Sequence, residues 1–220
     1  MNMLAPLLRT DPASPRLTVY DEARGTRMEF SAQTLDNWAN KVANMLVEEF
    51  EADADTRVGI DLGASWQSAV IALGAYNAGL SPLFDAPFAT PTVIFTTPEA
   101  AGRFSAVPDC VVVSDDPFGR GVVEAGGQLP EGTVDFGPTV RFYGDQYYGP
   151  STDLARFALP EIGAERYLVP PWGSAAEFER GVLAPLAAGG SVVLITGLCP
   201  AERLEEIAAA EKVTGFLTEG

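Results

Sequence analysis

The sequence predicts an α/β fold of mainly parallel sheets flanked by helices. Three observations carry this expectation. Short, nearly continuous apolar runs, among them Thr92-Val-Ile-Phe95, Cys110-Val-Val-Val113 and Ser191-Val-Val-Leu-Ile195, read as strands buried on both faces. These runs alternate with segments of helical periodicity, the pattern of βαβ units with right-handed crossovers. Glycine and proline, 22 and 17 of 220 residues, punctuate the chain between them.

Taken in order, Met3, Leu4, Leu7 and Leu8 suit a short helix within a proline-bearing N-terminal arm. Leu17–Tyr20 and Arg27–Phe30 flank Arg24-Gly25 and read as a hairpin. Ser31 is placed to cap a helix whose Leu35, Trp38, Ala39, Val42, Ala43, Leu46 and Val47 form a core stripe. Arg57–Leu62 is a strand, Trp66–Ala78 a helix and Gly79 its terminating glycine. Leu80–Phe84 reads as the next strand, and Pro82, Pro87 and Pro91 punctuate this part of the chain. Then come a strand at Thr92–Phe95, a short helix through Phe104 and a strand at Cys110–Val113.

Residues 115–138, rich in Gly, Asp and Pro, read as loop. Val140–Tyr143 reads as a strand, Gly144–Pro150 as an aromatic loop and Asp153–Leu159 as a short helix. Tyr167–Val169 is a strand, and Glu177–Ala187 a helix with a break at Pro185. Gly189-Gly190 turns into the Ser191–Ile195 strand. Pro200 opens a helix with Leu204, Ile207 and Ala208 inward, and Val213–Leu217 is the last strand. The expected organisation is a first lobe over 1–135, with the arm and hairpin, and a second over 136–220 packed on it.

The net charge is −16, from 14 basic and 30 acidic residues. Such a chain repels a phosphate backbone or an anionic membrane surface, so nucleic-acid and membrane partners are not expected. No run of about 20 apolar residues offers a membrane span, and Met1–Arg9 lacks the features of a secretion signal. A cytoplasmic location is the default. Cys110 and Cys199 each adjoin a Val-rich run and read as buried free thiols.

The chain contains no histidine, which removes Ser-His-Asp and Cys-His chemistry and His-ligated zinc. Asp115-Asp116 reads as a solvated turn rather than a catalytic pair. Gly119-Arg-Gly121 starts a G-x-G-x-x-G pattern but has Glu124 at the last glycine position. These residues supply no catalytic group, metal ligand or cofactor site.

Two segments could bind a ligand. Tyr143, Tyr147 and Tyr148 surround Gly144-Asp145-Gln146 and lead to the hydroxyls of Ser151 and Thr152; such aromatics could stack on a planar group. Pro171, Trp172 and Gly173 lie just past the carboxyl end of a strand, where open α/β sheets hold ligands. Each also reads as plain structure: a Tyr-rich capping loop in the first case, a Pro-Trp turn in the second.

The order of segments resembles acyl-CoA synthetases and related AMP-forming adenylating enzymes. The residues that carry the likeness are Tyr20, Glu29-Phe30-Ser31 with Leu35, and Asp55–Ile60. They continue through Ala72–Pro82, Leu168–Pro171, Leu183–Leu186 with Gly189–Leu194, and Pro200–Thr214. The likeness spans most of 17–217 and is similar to an actinobacterial family distantly related to AMP-binding enzymes. It implies the N-terminal subdomains of that fold in truncated form.

The family's phosphate loop, Tyr-Thr-Ser-Gly-Thr-Thr-Gly-x-Pro-Lys-Gly, would fall between Val140 and Tyr167. No such run and no lysine stand there. The nucleotide-binding motifs and the catalytic lysine would lie beyond Gly220. The resemblance therefore implies a non-catalytic domain with a binding or assembly role, at least dimeric or with a protein partner. The alternatives are a small acyl-CoA or nucleotide binder, and an AMP-forming ligase completed by a partner chain.

Overall fold

A computed structural model describes residues 2–84 and 90–218. Contacts divide the chain into two compact units, one formed by 1–2, 36–62 and 67–152, the other by 3–35, 63–66 and 153–220. This grouping departs from the expected 1–135 and 136–220 lobes. The reason is strand order: the N-terminal hairpin joins the sheet made by the C-terminal part of the chain.

In that second unit, α1 (Ala5–Thr10) precedes β1 (Pro15–Asp21) and β2 (Thr26–Ser31), which pair antiparallel around the Gly25 turn. Gly25 has φ +63, a backbone conformation that favours glycine. The Ser31 hydroxyl accepts the Thr34 N–H at 3.1 Å and opens α2 (Ala32–Glu49), as the sequence predicts.

The first unit is built on a parallel sheet of β3 (Val58–Asp61), β4 (Val93–Thr96), β5 (Asp109–Val112) and β6 (Val134–Asp135) in that spatial order. All of α3 (Trp66–Asn77) after Trp66 belongs to the same unit. Gly79, at φ +76, ends α3 as expected, with the Gly79 and Leu80 amides donating back to Tyr76 and Ala75 carbonyls. A Cβ on Gly74 would strike the Val42 side chain, so α2 and α3 approach closely at this glycine.

Several expectations are corrected. Leu80–Phe84 is not a full strand; Leu83 alone bridges Gly59 in parallel. Pro87 lies outside the described residues. The 115–138 stretch is not all loop, since β6 closes the sheet. Val140–Tyr143 is not a strand: α4 (Phe136–Val140), with Phe136 set edge-on to Phe95 at 5.9 Å, ends at Val140, and a turn follows in which the Phe142 and Tyr143 amides donate back to Thr139 and Val140. Val47 is not core but 38% exposed at the end of α2, while Met45 is buried. Cys110 is a buried free thiol, but Cys199 is only half-buried.

The second unit continues with β7 (Arg166–Val169), then α5 (Ala175–Phe178) and α6 (Ala184–Ala187), joined by a π-helical turn over Glu179–Leu183. That turn sits just ahead of Pro185, which has no N–H for the helical ladder. Then β8 (Ser191–Thr196), α7 (Ala201–Ala210) and β9 (Gly215–Phe216) complete a sheet ordered β2-β1-β8-β7-β9. All its pairings except β1–β2 are parallel. No helix among the described residues is long and apolar enough to cross a membrane.

Candidate functional site

One row of α2 carries the most informative side chains. Asp36, Asn40 and Asn44 succeed one another at intervals of four, beside the apolar stripe, so they share one helical face. They meet the Tyr143–Thr152 loop. The two amide hydrogens of Asn40 go to Asp36 Oδ2 and to the Asp145 carbonyl, both at 2.9 Å. Its oxygen accepts from Asn77 at 2.8 Å and Asn2 at 3.2 Å. A primary amide has two donors and two acceptor sites, so Asn40, only 1% exposed, is saturated.

The neighbouring positions repeat the pattern. Lys41 Nζ donates to the Tyr143 carbonyl at 2.6 Å, and Asn44 donates at 2.9 Å to the carbonyls of both Gly144 and Gln146. Four consecutive loop carbonyls, Tyr143 to Gln146, are thereby fastened to α2. At the other end of the loop the Ser151 hydroxyl donates to Asn77 Oδ1 at 2.9 Å, and the Thr152 amide donates to the Tyr76 carbonyl at 3.1 Å.

The electrostatics around this loop are acidic. The Tyr143 hydroxyl donates to Glu49. Burial, then that bond and the charge of Glu49, push its pKa up to about 12, so it stays neutral. Burial also raises Tyr147. Asp36 is buried, and the loss of water raises its carboxyl against the bonds from Asn2 and Asn40. Its Oδ1 has no partner among the described residues.

The candidate ligand residues thus fall into two groups in different units. Tyr143, Tyr147, Tyr148, Ser151 and Thr152 belong to the first, and Pro171, Trp172 and Gly173 to the second. In the first group Ser151 and the Thr152 backbone are committed to holding the loop, while Tyr148 is exposed and its hydroxyl donates to the Gln146 side chain. In the second, Pro171 is exposed and the Gly173 amide donates to Glu177 Oε2 at 2.6 Å. Ser174 accepts the Glu177 amide at 3.2 Å, completing a reciprocal cap on α5. Trp172 is 4% exposed and packs edge-on against Phe178 at 5.2 Å. Its indole Nε1 has no acceptor among the described residues.

Sequence reasoning passed over Asn40, Lys41, Asn44 and Asn77. A signal existed: three polar residues at four-residue spacing within an apolar helix mark a second, non-core face that must meet something polar.

A further polar cluster lies inside the second unit. Glu211, just past α7, accepts from Tyr20 at 2.6 Å, from Arg27 Nε at 2.7 Å and from Arg166. Arg166 also donates to Thr18 at 2.9 Å, and Arg27 to Glu29 at 2.6 Å. Burial pushes the Glu211 carboxyl up, yet the bonds from Arg27, Tyr20 and Arg166 together hold it down at about 2. With every group engaged, this cluster fastens β1, β2, β7 and the end of α7 rather than offering a reactive centre.

Comparison with known proteins gives the lineage. No family model matches the chain. It is 36% identical over 240 residues to a TIGR03089 family protein of Mycobacterium tuberculosis, covering 98% of this chain and 96% of that protein. Among solved structures, an acyl-CoA synthetase of Brucella canis superposes with a TM-score of 0.76 at 17% identity, over 98% of this chain and 47% of that one. Acetoacetyl-CoA synthetase from Streptomyces lividans gives 0.71 at 15% identity, over 98% of this chain and 42% of that one. MatB from Rhodopseudomonas palustris gives 0.69 at 15%, over 98% and 49%. The chain spans about half the length of these enzymes, and at such identities the likeness is one of fold.

Proposed function

This chain belongs to the TIGR03089 family, and we propose that it is an adenylating-enzyme-like domain that has given up adenylation for a binding or assembly role. The observation that supports this is the fastening of the Tyr143–Thr152 loop. A phosphate-binding loop works by turning free amides and hydroxyls toward an anion, with a cation close by. Here Ser151 is spent on Asn77 and Lys41 on the Tyr143 carbonyl. Glu48, Glu49 and Asp145 line the exposed side, where a triphosphate would meet like charge.

ATP–pyrophosphate exchange with a panel of carboxylic acids is expected to stay at background. Clear exchange by the isolated chain would sink the proposal; exchange only on adding a second protein would favour a ligase completed by a partner. The assembly role carries an expectation of at least a dimer, read by light scattering, against which a monomer at all concentrations would count.

A second reading, a small-ligand binder, is favoured by the Trp172 indole. Its buried N–H has no acceptor among the described residues, which costs about 1–3 kcal/mol, and a ligand oxygen would relieve it. Saturating acyl-CoA, AMP or ATP should then raise the unfolding temperature in proportion to the logarithm of concentration. No shift with any of the three discards this reading.

A further inference from the structure

Single exposed apolar residues are ordinary on a protein surface. Two on the first unit are aromatic and stand on either side of the fastened carbonyls of Tyr143–Gln146. Phe142 is 89% exposed and Tyr148 88%. Val47 stands on α2 one turn beyond Asn44, whose amide holds the Gly144 and Gln146 carbonyls. The Tyr148 hydroxyl donates to the Gln146 side chain. On the other side of Phe142 in sequence, Arg141 is paired with Glu124. Phe142 and Tyr148 thus flank the stretch of loop that α2 fastens, and Val47 lies on that helix.

Two features set this surface apart. Its backbone is already held by Asn40, Lys41 and Asn44, so little further ordering is needed when it binds. Its rim is acidic: Glu48, Glu49 and Asp145 are exposed, while the nearby cations are committed, Lys41 to the Tyr143 carbonyl and Arg141 to Glu124.

We propose that this face docks a cationic segment of another protein, with apolar side chains seated on Phe142 and Tyr148 and Lys or Arg against the acidic rim. Buried aromatic anchors ringed by complementary charge are the usual source of affinity and specificity. A second copy of this chain would bring the same acidic rim, and a polyanion would be repelled outright. The proposal names the partner chemistry for the binding role inferred above. It does not depend on the loss of adenylation, which pyrophosphate exchange tests separately.

The test is fluorescence polarisation of three labelled peptides against the full chain: an amphipathic Lys/Leu peptide, a Lys/Ser peptide of equal charge and a Glu/Leu peptide. The Lys/Leu peptide should bind tightest, weakening with salt, and the Glu/Leu peptide should not bind. F142S/Y148S should weaken Lys/Leu binding by about tenfold or more, whereas L198S/F216S, at two exposed apolar positions of the second unit, should leave it unchanged. The charge variant E48Q/D145N gives an independent reading and should weaken binding several-fold. Equal binding of Lys/Ser and Lys/Leu, unaltered affinity in F142S/Y148S, or a dimer that F142S/Y148S disperses would each overturn the proposal.

Discussion

Replacing Glu211 by alanine should lower the unfolding free energy by roughly 3 kcal/mol, measured by denaturant titration. The side chain is 7% exposed and takes charged hydrogen bonds from Arg27 and Arg166 as well as the Tyr20 hydroxyl. Removing one partner of a buried ion pair strands the other, a cost of about 3–5 kcal/mol. Arg27 is half-exposed and water recovers part of its share, hence the lower end. The same cluster sets an acid limb. A carboxyl held at about 2 in the folded chain, against an ordinary 4.5, stabilises the fold by about 3 kcal/mol above pH 4.5. That stabilisation is lost as the pH falls from 4.5 toward 2. E211Q should flatten this part of the stability profile while leaving the remaining acid dependence in place. A Glu211 variant that tracks the wild type from pH 5 to 2 would show that the network does not hold the carboxyl down.

Asn40→Ala should cost about 2–4 kcal/mol and release the Tyr143–Thr152 loop. The substitution deprives Asp36, Asn77 and the Asp145 carbonyl of partners at a site closed to water, and each buried polar group left unpaired costs about 1–3 kcal/mol. Amide exchange over 144–152 should quicken. Asn44→Ala, at a more exposed position, should cost under about 1 kcal/mol. Equal costs for the two would mean that Asn40 is not the hub of the loop.

The strands and most helices were legible because their apolar runs carry the signal directly. β1, β3, β4, β5, β7 and β8 all overlap the expected segments, with ends no more than two residues from those expected, and Ser31 and Gly79 bound their helices as predicted. Partnership between segments distant in sequence was not legible. Nothing local in Leu17–Tyr20 announces pairing with Val192–Ile195, so the lobe boundary was placed by chain order. Val140–Tyr143 has the β-branched and aromatic residues of a strand, but burial of Phe136 against Phe95 decided for a helix at Phe136–Val140. At the loop, the tyrosines and Ser151 drew notice by residue type. The fastening side chains, Asn40, Lys41 and Asn44, sat unremarked within a helix read only for its apolar stripe.

The insertion of β1 between β2 and β8 also bears on the order of events at the ribosome. The first unit's sheet, β3 to β6, is complete once residue 135 has emerged, and its pairings, such as Val58 with Val93, close far shorter stretches of chain. The second unit's sheet cannot close until Ser191–Thr196 arrives to take its place beside a hairpin made long before it in the chain, since Leu17 pairs with Val192. Closing so long a stretch of chain is entropically slow, and until then β1 presents an open edge to whatever lies nearby. Vectorial synthesis therefore leaves the N-terminal hairpin as the segment most in need of shelter while the chain is being made.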